Sequence, residues 1–432
     1  MQKRYRRLVE GHVAPAQRLA PGVKPATSDT STLAAVQGAY RFLHNPRVTL
    51  RALVEPLVDE ARRGAAEACD RFVLAVHDWS LIRFRRHHAK LDRQTIGSRA
   101  WKEGYELHAC LAVGDREGRP LAPVAMSLHA HDGAHCTRAC DVRPILSVLD
   151  ELDSVMAFAE SRNFGKPIVH IIDAEADSAA HYRLWSETPG RLFLVRADDR
   201  LLDWEGDEQT CSAIRETLAA RGAFQKTRTV SWRDETAEQW VAEAAVLLTR
   251  PGQQNRADGS RRRIAGPPLP LRLILADVRS PDGRVLATWR LLTNAPADAD
   301  AATVALWYYW RWRIESYFKL LKSAGFQLEQ WQQETAAAVA RRLLVASMAC
   351  VLVWRLARSE TPEAAETRSV LIRLSGRQMR RSKPFTEPAL LAGLWTLLQV
   401  QYVRTHFSDE ELQRYATLAL ANPRAGPDST NV

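Results

Sequence analysis

Short apolar runs, each bounded by charged or turn-forming residues, recur through the first half of the chain. Such runs are typical of buried β-strands, whereas an amphipathic helix repeats its apolar positions every three to four residues. The predicted strands are Phe72–His77, Glu106–Val113, Leu121–His129, Ile168–Ile172 and Leu192–Val195. The segment Asp141–Asn163, between the third and fourth strands, is predicted to be a helix. This order of elements indicates an α/β domain.

The rest of the chain divides into a β-rich insertion and two helical flanks. The insertion, at about residues 200–295, contains three further predicted strands: Lys226–Trp232, Trp240–Leu248 and Leu271–Val278. The predicted flanking helices are Ala34–Asn45, Thr49–Glu67, Thr335–Ser359, Pro388–Arg404 and Ser408–Ala421. We therefore expect a helical region at residues 1–68, an α/β domain at residues 69–355 and a C-terminal helical region at residues 356–432.

The stretch Trp307–Gln330, with the sequence WYYWRWRIESYFKLLKSAGFQLEQ, is predicted to be one helix. At about 100° per residue, five of its polar side chains share one arc of roughly 80°. They are Tyr308, Arg311, Glu315, Lys319 and Lys322. A solvated ladder of ion pairs is one interpretation of this face. A single carboxylate among cations and aromatic rings favours the other interpretation, a site for a phosphate-rich ligand and a metal ion.

Two aspartates come directly after predicted buried strands. Asp78 follows Phe72–His77, and Asp173 follows Ile168–Ile172. Turn initiation is one reason for an aspartate at such a position. Ligand binding is the other, because an open sheet presents groups at the ends of its strands. With Glu315, they would supply three carboxylates from three elements, which suits phosphoryl transfer by two metal ions.

Composition bears on the partner and on the compartment. A formal net charge of +10 and a pI near 9.5 favour a polyanionic partner, with general solubility as the alternative role of this charge. The longest apolar candidate for a membrane span, Leu343–Trp354, is shorter than the roughly 20 residues that cross a bilayer, so a buried helix is expected instead. The six scattered cysteines and an N-terminus unlike a secretory signal predict a cytoplasmic protein without a membrane partner.

The signature residues resemble those of a known family. Tyr308, Arg311, Glu315 and Lys322 match the spacing of the Tyr-Arg-Glu-Lys signature of bacterial cut-and-paste DDE transposases, the insertion sequence 4 family. The resemblance implies a ribonuclease H-like catalytic core, with a mixed five-stranded sheet, flanking helices and a β-rich insertion. It also implies that the two strand-end aspartates and Glu315 are catalytic and hold two Mg²⁺ ions, for which Mn²⁺ can substitute.

The resemblance also implies which residues contact DNA. Cations of the signature stretch would hold phosphates near the scissile bond: Arg311, Lys319 and Lys322. Tyr308 would hydrogen-bond a phosphate, and Arg196 matches a family position that meets DNA. Trp289 matches a position on which an extruded base stacks, while its residue type and strand context equally suit an aromatic of the core. Arg41 lies in GAYRFLHNPRV, which resembles the DNA-binding region of these transposases. The chain departs from its relatives at Ala174, where they commonly have an arginine.

A cluster of histidines and cysteines lies in the segment HAHDGAHCTRAC. Its members are His129, His131, His135, Cys136 and Cys140. A zinc site is one interpretation, but the usual second pair of ligands at a distance is missing. A polar loop between strand and helix is therefore favoured.

The predicted function is that of a DNA transposase. It would hydrolyse phosphodiester bonds at transposon ends and transfer the freed 3′-hydroxyl into target DNA, through hairpin ends as in the relatives. Double-stranded DNA is the expected partner, and the C-terminal helices are expected to pair two subunits. Two alternatives stay open: an inactive DNA-binding descendant, to which Ala174 gives some weight, and a nuclease of the same fold that cleaves without transfer.

Overall fold

The computed structural model describes residues 30–84, 87–95, 103–232, 235–255, 261–322, 325–380 and 384–420. Its strands are β1 (Val73–Arg83), β2 (Gln94–Thr95), β3 (Glu103–Gly114), β4 (Pro120–Ala130), β5 (Gly133–Cys136), β6 (Ile168–Ile172), β7 (Leu192–Arg196), β8 (Leu201–Trp204), β9 (Asp207–Thr210), β10 (Gln225–Trp232), β11 (Glu235–Leu248), β12 (Gly252–Asn255), β13 (Arg261–Ile264), β14 (Leu269–Arg279) and β15 (Val285–Thr293). Its α-helices are α1 (Thr30–His44), α2 (Leu50–Ala68), α3 (Val148–Glu160), α4 (Ala179–Glu187), α5 (Cys211–Ala220), α6 (Ala301–Tyr309), α7 (Trp312–Leu321), α8 (Ala336–Arg358), α9 (Pro362–Ser375), α10 (Glu387–His406) and α11 (Asp409–Leu420).

One mixed sheet of thirteen strands runs through the described part of the protein. Its order is β5-β4-β3-β1-β6-β7-β15-β14-β11-β8-β9, with β2 paired to β3 and β10 paired to β11. The pairs β1–β6 and β6–β7 are parallel, while β1 pairs antiparallel with β3 and β7 antiparallel with β15. Strands β12 and β13 form a separate two-stranded ribbon.

The five strands predicted for the α/β domain are confirmed and lie next to one another as β4-β3-β1-β6-β7. The predicted sheet size of five strands is wrong, because the insertion extends the same sheet. Its last strand, β15, pairs with β7 through Leu292 opposite Val195. Without β15, the edge of β7 that faces away from β6 would expose a row of backbone donors and acceptors, and the pairing with β15 satisfies them.

Helices cover both faces of the sheet. On one face, α2 and α8 pack against β4, and apolar residues of α2 such as Leu57 and Val58 are completely buried. On the other face, α3, α4 and α5 contribute Met156, Trp185 and Ile214 to a second apolar cluster. Strands β3 and β4 are buried along almost their whole length, as expected for strands covered on both sides.

Among the described residues, one helix, α8, is long and apolar enough to cross a membrane. The predicted burial of this segment is confirmed, since 83% of its most apolar window lies inside the protein. The predicted helix Thr335–Ser359 is confirmed, with 23 residues from Ala336 to Arg358, and it extends through the arginines on both sides of the apolar run. Arg342 is buried within it, lies over the ring of Trp331 at 4.1 Å and donates to the side chain of Gln333.

Helix α3 begins later than the predicted Asp141–Asn163. The chain before it is extended, and the backbone of Arg143 exchanges two hydrogen bonds with Ala134. Pro144 then follows, and the residue before a proline disfavours the helical conformation. The helix starts only after Ser147, whose side chain accepts from the backbone N–H of Asp150.

A buried carboxylate joins the helix of the insertion, α5, to the sheet. Asp277 of β14 is completely buried and accepts two hydrogen bonds from the Arg215 guanidinium, at 2.9 and 2.7 Å. Arg279 and the Thr288 hydroxyl donate to the same carboxylate. Burial by itself would raise the pKa of Asp277, but these donors outweigh it and lower the pKa.

Replacing this carboxylate tests whether it secures the insertion. We expect Asp277→Ala to lower the free energy of unfolding by about 3–5 kcal/mol, because Arg215 would lose its buried partner. Urea denaturation measures the change. The control is Glu205→Ala, which breaks the exposed ion pair with Arg221 and should have little effect. Equal effects of the two substitutions would contradict the assigned role of Asp277.

Candidate active site

The parallel register of β1 and β6 places two aspartates side by side. The last residues paired are Val76 and Ile171, and Asp78 and Asp173 both lie two residues further along. Asp173 directly follows β6, as predicted. The prediction that Asp78 ends its strand is wrong, because β1 continues to Arg83 on its other partner, β3. Only the pairing with β6 has ended there, so both aspartates lie where β6 stops.

Glu315 lies in the first turn of α7. Helix α6 ends at Tyr309, and a tight turn at Trp310 and Arg311 separates it from α7. Both turn residues keep helical backbone angles, and the Arg311 N–H bonds the carbonyl oxygen of Tyr308, three residues earlier. The predicted continuous helix is therefore interrupted by a short 3₁₀-like turn at Arg311.

Helix α7 ends at Leu321, so the helical prediction is wrong from Lys322 onward. The backbone N–H of Phe326 bonds the carbonyl oxygen of Leu320 at 3.0 Å. Gly325 packs against the same carbonyl, and a Cβ atom there would lie 2.4 Å from its oxygen. Only glycine fits this close approach, and the chain turns away from the helix axis.

The guanidinium of Arg311 contacts three carboxylates. Its Nη1 lies 3.4 Å from Oδ2 of Asp78, and its Nη2 lies 3.1 Å from Oδ2 of Asp173 and 3.1 Å from Oε1 of Glu315. The last two oxygens are therefore no more than about 6 Å apart, since both lie 3.1 Å from one nitrogen. The Arg311 side chain is only 7% exposed. Residues far apart in the sequence thus meet around one cation.

Asp173 has three further partners. Arg196 follows the end of the β6–β7 pairing, and its Nε lies 2.9 Å from Oδ1 of Asp173. The Tyr308 hydroxyl donates to the same oxygen at 3.1 Å, and so does the backbone N–H of Ala174 at 2.8 Å. These contacts orient the carboxylate and leave it ringed by donors from three elements.

Burial makes this cluster of negative charge costly. It raises the pKa of Asp78 to about 6 and also raises the pKa of Glu315, although Arg311 opposes both shifts. Burial likewise raises the pKa of Glu175, which lies in the 3₁₀ turn after Asp173. The arginines therefore compensate the carboxylates only in part, and the site favours additional positive charge.

The donor set suits a hard divalent cation. Carboxylate oxygens are the ligands that Mg²⁺ and Mn²⁺ prefer, and here they come from β1, β6 and α7. In the described ranges, no three acidic, histidine or cysteine side chains are arranged to hold a metal ion as they stand. The Arg311 guanidinium lies among the three carboxylates instead and shows that a cation is stable there. By this chemistry the residues fit a divalent ion that replaces that guanidinium.

Two lysines of the signature stretch lie in different environments. Lys319 is exposed on α7. Lys322 is partly buried, and its ammonium group donates to Ser80 Oγ at 2.7 Å and to the carbonyl oxygen of Leu81 at 2.6 Å. Lys322 therefore contacts the strand that carries Asp78, whereas Lys319 faces solvent.

The remaining predicted DNA-binding residues lie on elements far apart in the chain. Trp289 on β15 is only 7% exposed, and its ring packs 5.4 Å from that of Tyr308. Arg41 is exposed near the end of α1. The structure thus brings Trp289 next to the site and leaves Arg41 on the N-terminal helix.

The sequence did not indicate that Trp232 and Glu329 lie near the site. Trp232 lines a cavity of about 510 Å³ beside the signature helices, together with other aromatic side chains such as Trp312. Glu329 accepts the backbone N–H of Arg83 at the end of β1. Trp232 comes from the insertion and Glu329 from a stretch predicted to be helical, so no local pattern marked either of them.

The favoured polar loop is wrong for part of the histidine and cysteine cluster, because His135 and Cys136 lie in a β-strand that pairs with β4, whereas His131 lies in the turn between the strands and Cys140 in a bend after β5. His129 lies in β4, while His135 and Cys136 lie in β5. The two histidines pair separately, His129 with Glu106 at 3.4 Å and His135 with Asp132 at 3.0 Å. They do not share a ligand set for zinc.

The sequence matches the family described as Transposase DDE domain over residues 72–352. This match covers more than half of the chain, which therefore belongs to that family. The matched range contains β1, β6, the insertion and α7, and hence all three carboxylates around Arg311. Transposase activity on DNA and the use of divalent metal ions are general in this family.

Among solved structures, the chain is similar to a piggyBac transposase in a cryo-EM structure of its synaptic complex with hairpin DNA. The identity is 12% and the TM-score is 0.37, over 84% of this chain and 60% of that one. The chain thus spans less than two thirds of the length of that transposase.

Removing the shared cation tests how far the carboxylates depend on it. We expect Arg311→Met to lower the free energy of unfolding by about 3 kcal/mol in the presence of EDTA, because partly buried carboxylates would lose their common partner. Thermal and urea denaturation measure the change. The matched control is Arg221→Met, which removes one side of an exposed ion pair. A loss no larger than that of the control would show that Arg311 is not the main counter-charge.

Proposed function

We propose that this chain is a bacterial cytoplasmic DNA transposase of the cut-and-paste type, in the insertion sequence 4 branch of its family. It hydrolyses phosphodiester bonds at the ends of its transposon and transfers the freed 3′-hydroxyl into target DNA. The observation that carries this proposal is the convergence of Asp78, Asp173 and Glu315 on the Arg311 guanidinium. Membership in a transposase family supports the class of reaction.

The strand arrangement supports a ribonuclease H-like catalytic core. Strands β4, β3 and β1 are antiparallel neighbours, and β6 and β7 continue the sheet in parallel with β1. Such a core carries one carboxylate on its first strand and another after its fourth. Asp78 lies in β1, Asp173 directly follows β6, and Glu315 of α7 contacts the same guanidinium as both aspartates, which supports this assignment.

The three carboxylates are proposed to hold two Mg²⁺ ions, for which Mn²⁺ substitutes. Bound there, the ions would activate the attacking oxygen and stabilise the leaving oxygen of the phosphodiester. Asp173 is oriented by Arg196 and by the Tyr308 hydroxyl, and Asp78 accepts the backbone N–H of Trp79 at 2.8 Å. These bonds hold the acceptor oxygens in place before DNA arrives.

The DNA backbone is proposed to meet the cations around the carboxylates. Arg196 and Arg311 already lie at the site, and displacement of Arg311 from the carboxylates would free its donors for a phosphate. Lys319 is exposed on α7, the helix of Glu315, and is proposed to contact the backbone from there. Arg41 would contact DNA from the N-terminal helices. The net charge of +10 supports binding to a polyanion such as DNA.

Hairpin formation at the transposon ends is part of the proposal and depends on an extruded base. Trp289 packs against Tyr308, so a base stacked on it would lie close to Asp173. Since Trp289 is only 7% exposed, Trp232 or Tyr309, which contact its ring, must move to admit the base.

The proposed complex contains two subunits paired through the C-terminal helices. Helix α11 has no buried residue, and apolar side chains such as Tyr415, Leu418 and Leu420 are exposed on it. Exposed apolar groups of this kind support a contact with a second chain.

Loss of one carboxylate tests the catalytic assignment. We expect Glu315→Gln to slow cleavage of a supercoiled plasmid that carries the transposon ends by on the order of 10³-fold or more, with Mg²⁺ or Mn²⁺ present. Binding of the same DNA in EDTA should stay close to that of the unchanged protein, because the substitution removes no cation. The control Glu216→Gln alters an exposed carboxylate on α5 and should leave cleavage unchanged. Cleavage by Glu315→Gln at the original rate would refute the assignment.

The same assay, run on the unchanged protein with a labelled transposon end, distinguishes a transposase from a nuclease and from an inactive DNA-binding descendant. Cleavage followed by joining of the labelled strand supports the transposase. Cleavage without joining indicates a nuclease, and binding without cleavage indicates an inactive descendant.

A further inference from the structure

Strand β1 continues past the end of its parallel neighbour. Its pairing with β6 ends at Val76, while its pairing with β3 continues to Arg83. In a strand, backbone groups of alternate residues face the same edge. The N–H of Val73 bonds Pro167 on the β6 side, so the backbone groups of Leu81 and Arg83 also face that side. There β6 no longer supplies partners for them.

Side chains from the segment at and beyond the end of α7 take the place of β6. Lys322 donates to the carbonyl oxygen of Leu81 at 2.6 Å and to the Ser80 hydroxyl at 2.7 Å. Glu329 accepts the N–H of Arg83 at 3.0 Å. Both side chains belong to the segment that leaves α7 after Leu321. The edge of β1 that β6 leaves unpaired is thus bound by two side chains that follow α7, the helix of Glu315.

We propose that Lys322 and Glu329 are positioning residues that hold the Asp78 strand at a set distance from the Glu315 helix. We call these two side chains the edge clamp. Ser80 lies two residues after Asp78, and Lys322 lies about two helical turns after Glu315, so the bond between them links the two ligand-bearing elements directly. Metal sites require their ligands to be held within roughly 0.5 Å of the productive geometry. The inference rests on the proposed metal-binding role of Asp78 and Glu315.

The edge clamp assigns Lys322 a different role from the phosphate contact predicted from its place in the signature. Two of the three N–H donors of the ammonium group are directed at β1 in the structure. A residue that only bound DNA would leave the metal affinity of the free protein unchanged or higher when its charge is removed. A clamp would affect metal affinity before any DNA is present.

The experiment measures Mn²⁺ binding to the full chain without DNA, by electron paramagnetic resonance or calorimetry. We expect Lys322→Met to weaken Mn²⁺ binding about 10-fold, the scale seen when groups that orient metal ligands are removed. The sign is diagnostic, because removal of a nearby positive charge would by Coulomb's law strengthen the binding of a dication. DNA binding in EDTA, measured on the same variant, should change much less.

Three variants serve as controls. Lys322→Arg keeps a donor at the β1 edge and should restore most of the Mn²⁺ affinity. Ser80→Ala removes one acceptor of the Lys322 ammonium group without changing the charge, so it should weaken Mn²⁺ binding, but by less than Lys322→Met. This variant still tests the edge clamp if Lys322→Met folds poorly. Lys226→Met removes an exposed lysine of the insertion and should have no effect on Mn²⁺ binding.

The outcomes separate this inference from the proposed function. If Asp78→Asn weakens Mn²⁺ binding but Lys322→Met and Ser80→Ala do not, the edge clamp is refuted and the metal site stands. If Asp78→Asn has no effect on Mn²⁺ binding, the proposed metal site fails and the edge clamp fails with it.

Discussion

The contacts of the Arg311 guanidinium hold the candidate active site together. Three partly buried carboxylates repel one another unless a cation lies among them, and a planar guanidinium has enough donors to reach all three. Its partners come from β1, β6 and the first turn of α7, so the same contacts also set how α7 lies against the sheet. In the proposed function, a divalent ion would take over this electrostatic role when Arg311 turns to a phosphate.

The insertion contributes to this site as well as to the main sheet. Strand β15 pairs with β7, with Leu291 opposite Arg196, so the strand that carries Trp289 lies beside the arginine that contacts Asp173. The ring of Trp289 then packs on Tyr308, whose hydroxyl bonds the same carboxylate. A β-rich segment between β7 and α6 thus forms a wall of the site.

The end of α7 has a comparable consequence. If the helix continued to Gln330, its last residues would extend along the helix axis and could not return to β1. The close approach of Gly325 to the Leu320 carbonyl turns the chain instead and brings Glu329 to Arg83. The stretch from α7 to Glu329 therefore supplies Glu315 to the site and also contacts β1, the strand that carries Asp78.

The sequence alone determined the strands of the α/β domain and the buried helix α8, because apolar periodicity is a local feature of the chain. It also indicated Asp78, Asp173 and Glu315 as candidate carboxylates, the first two from predicted strand ends and the third from the spacing of the signature residues. It did not reveal that the insertion extends the main sheet, that Arg311 lies among the carboxylates, or that Lys322 contacts β1. Those features depend on the register between strands and on contacts between residues such as Asp78 and Arg311, which are distant in the chain. A periodic pattern records which side of an element is buried, but only the packed structure decides what that side meets.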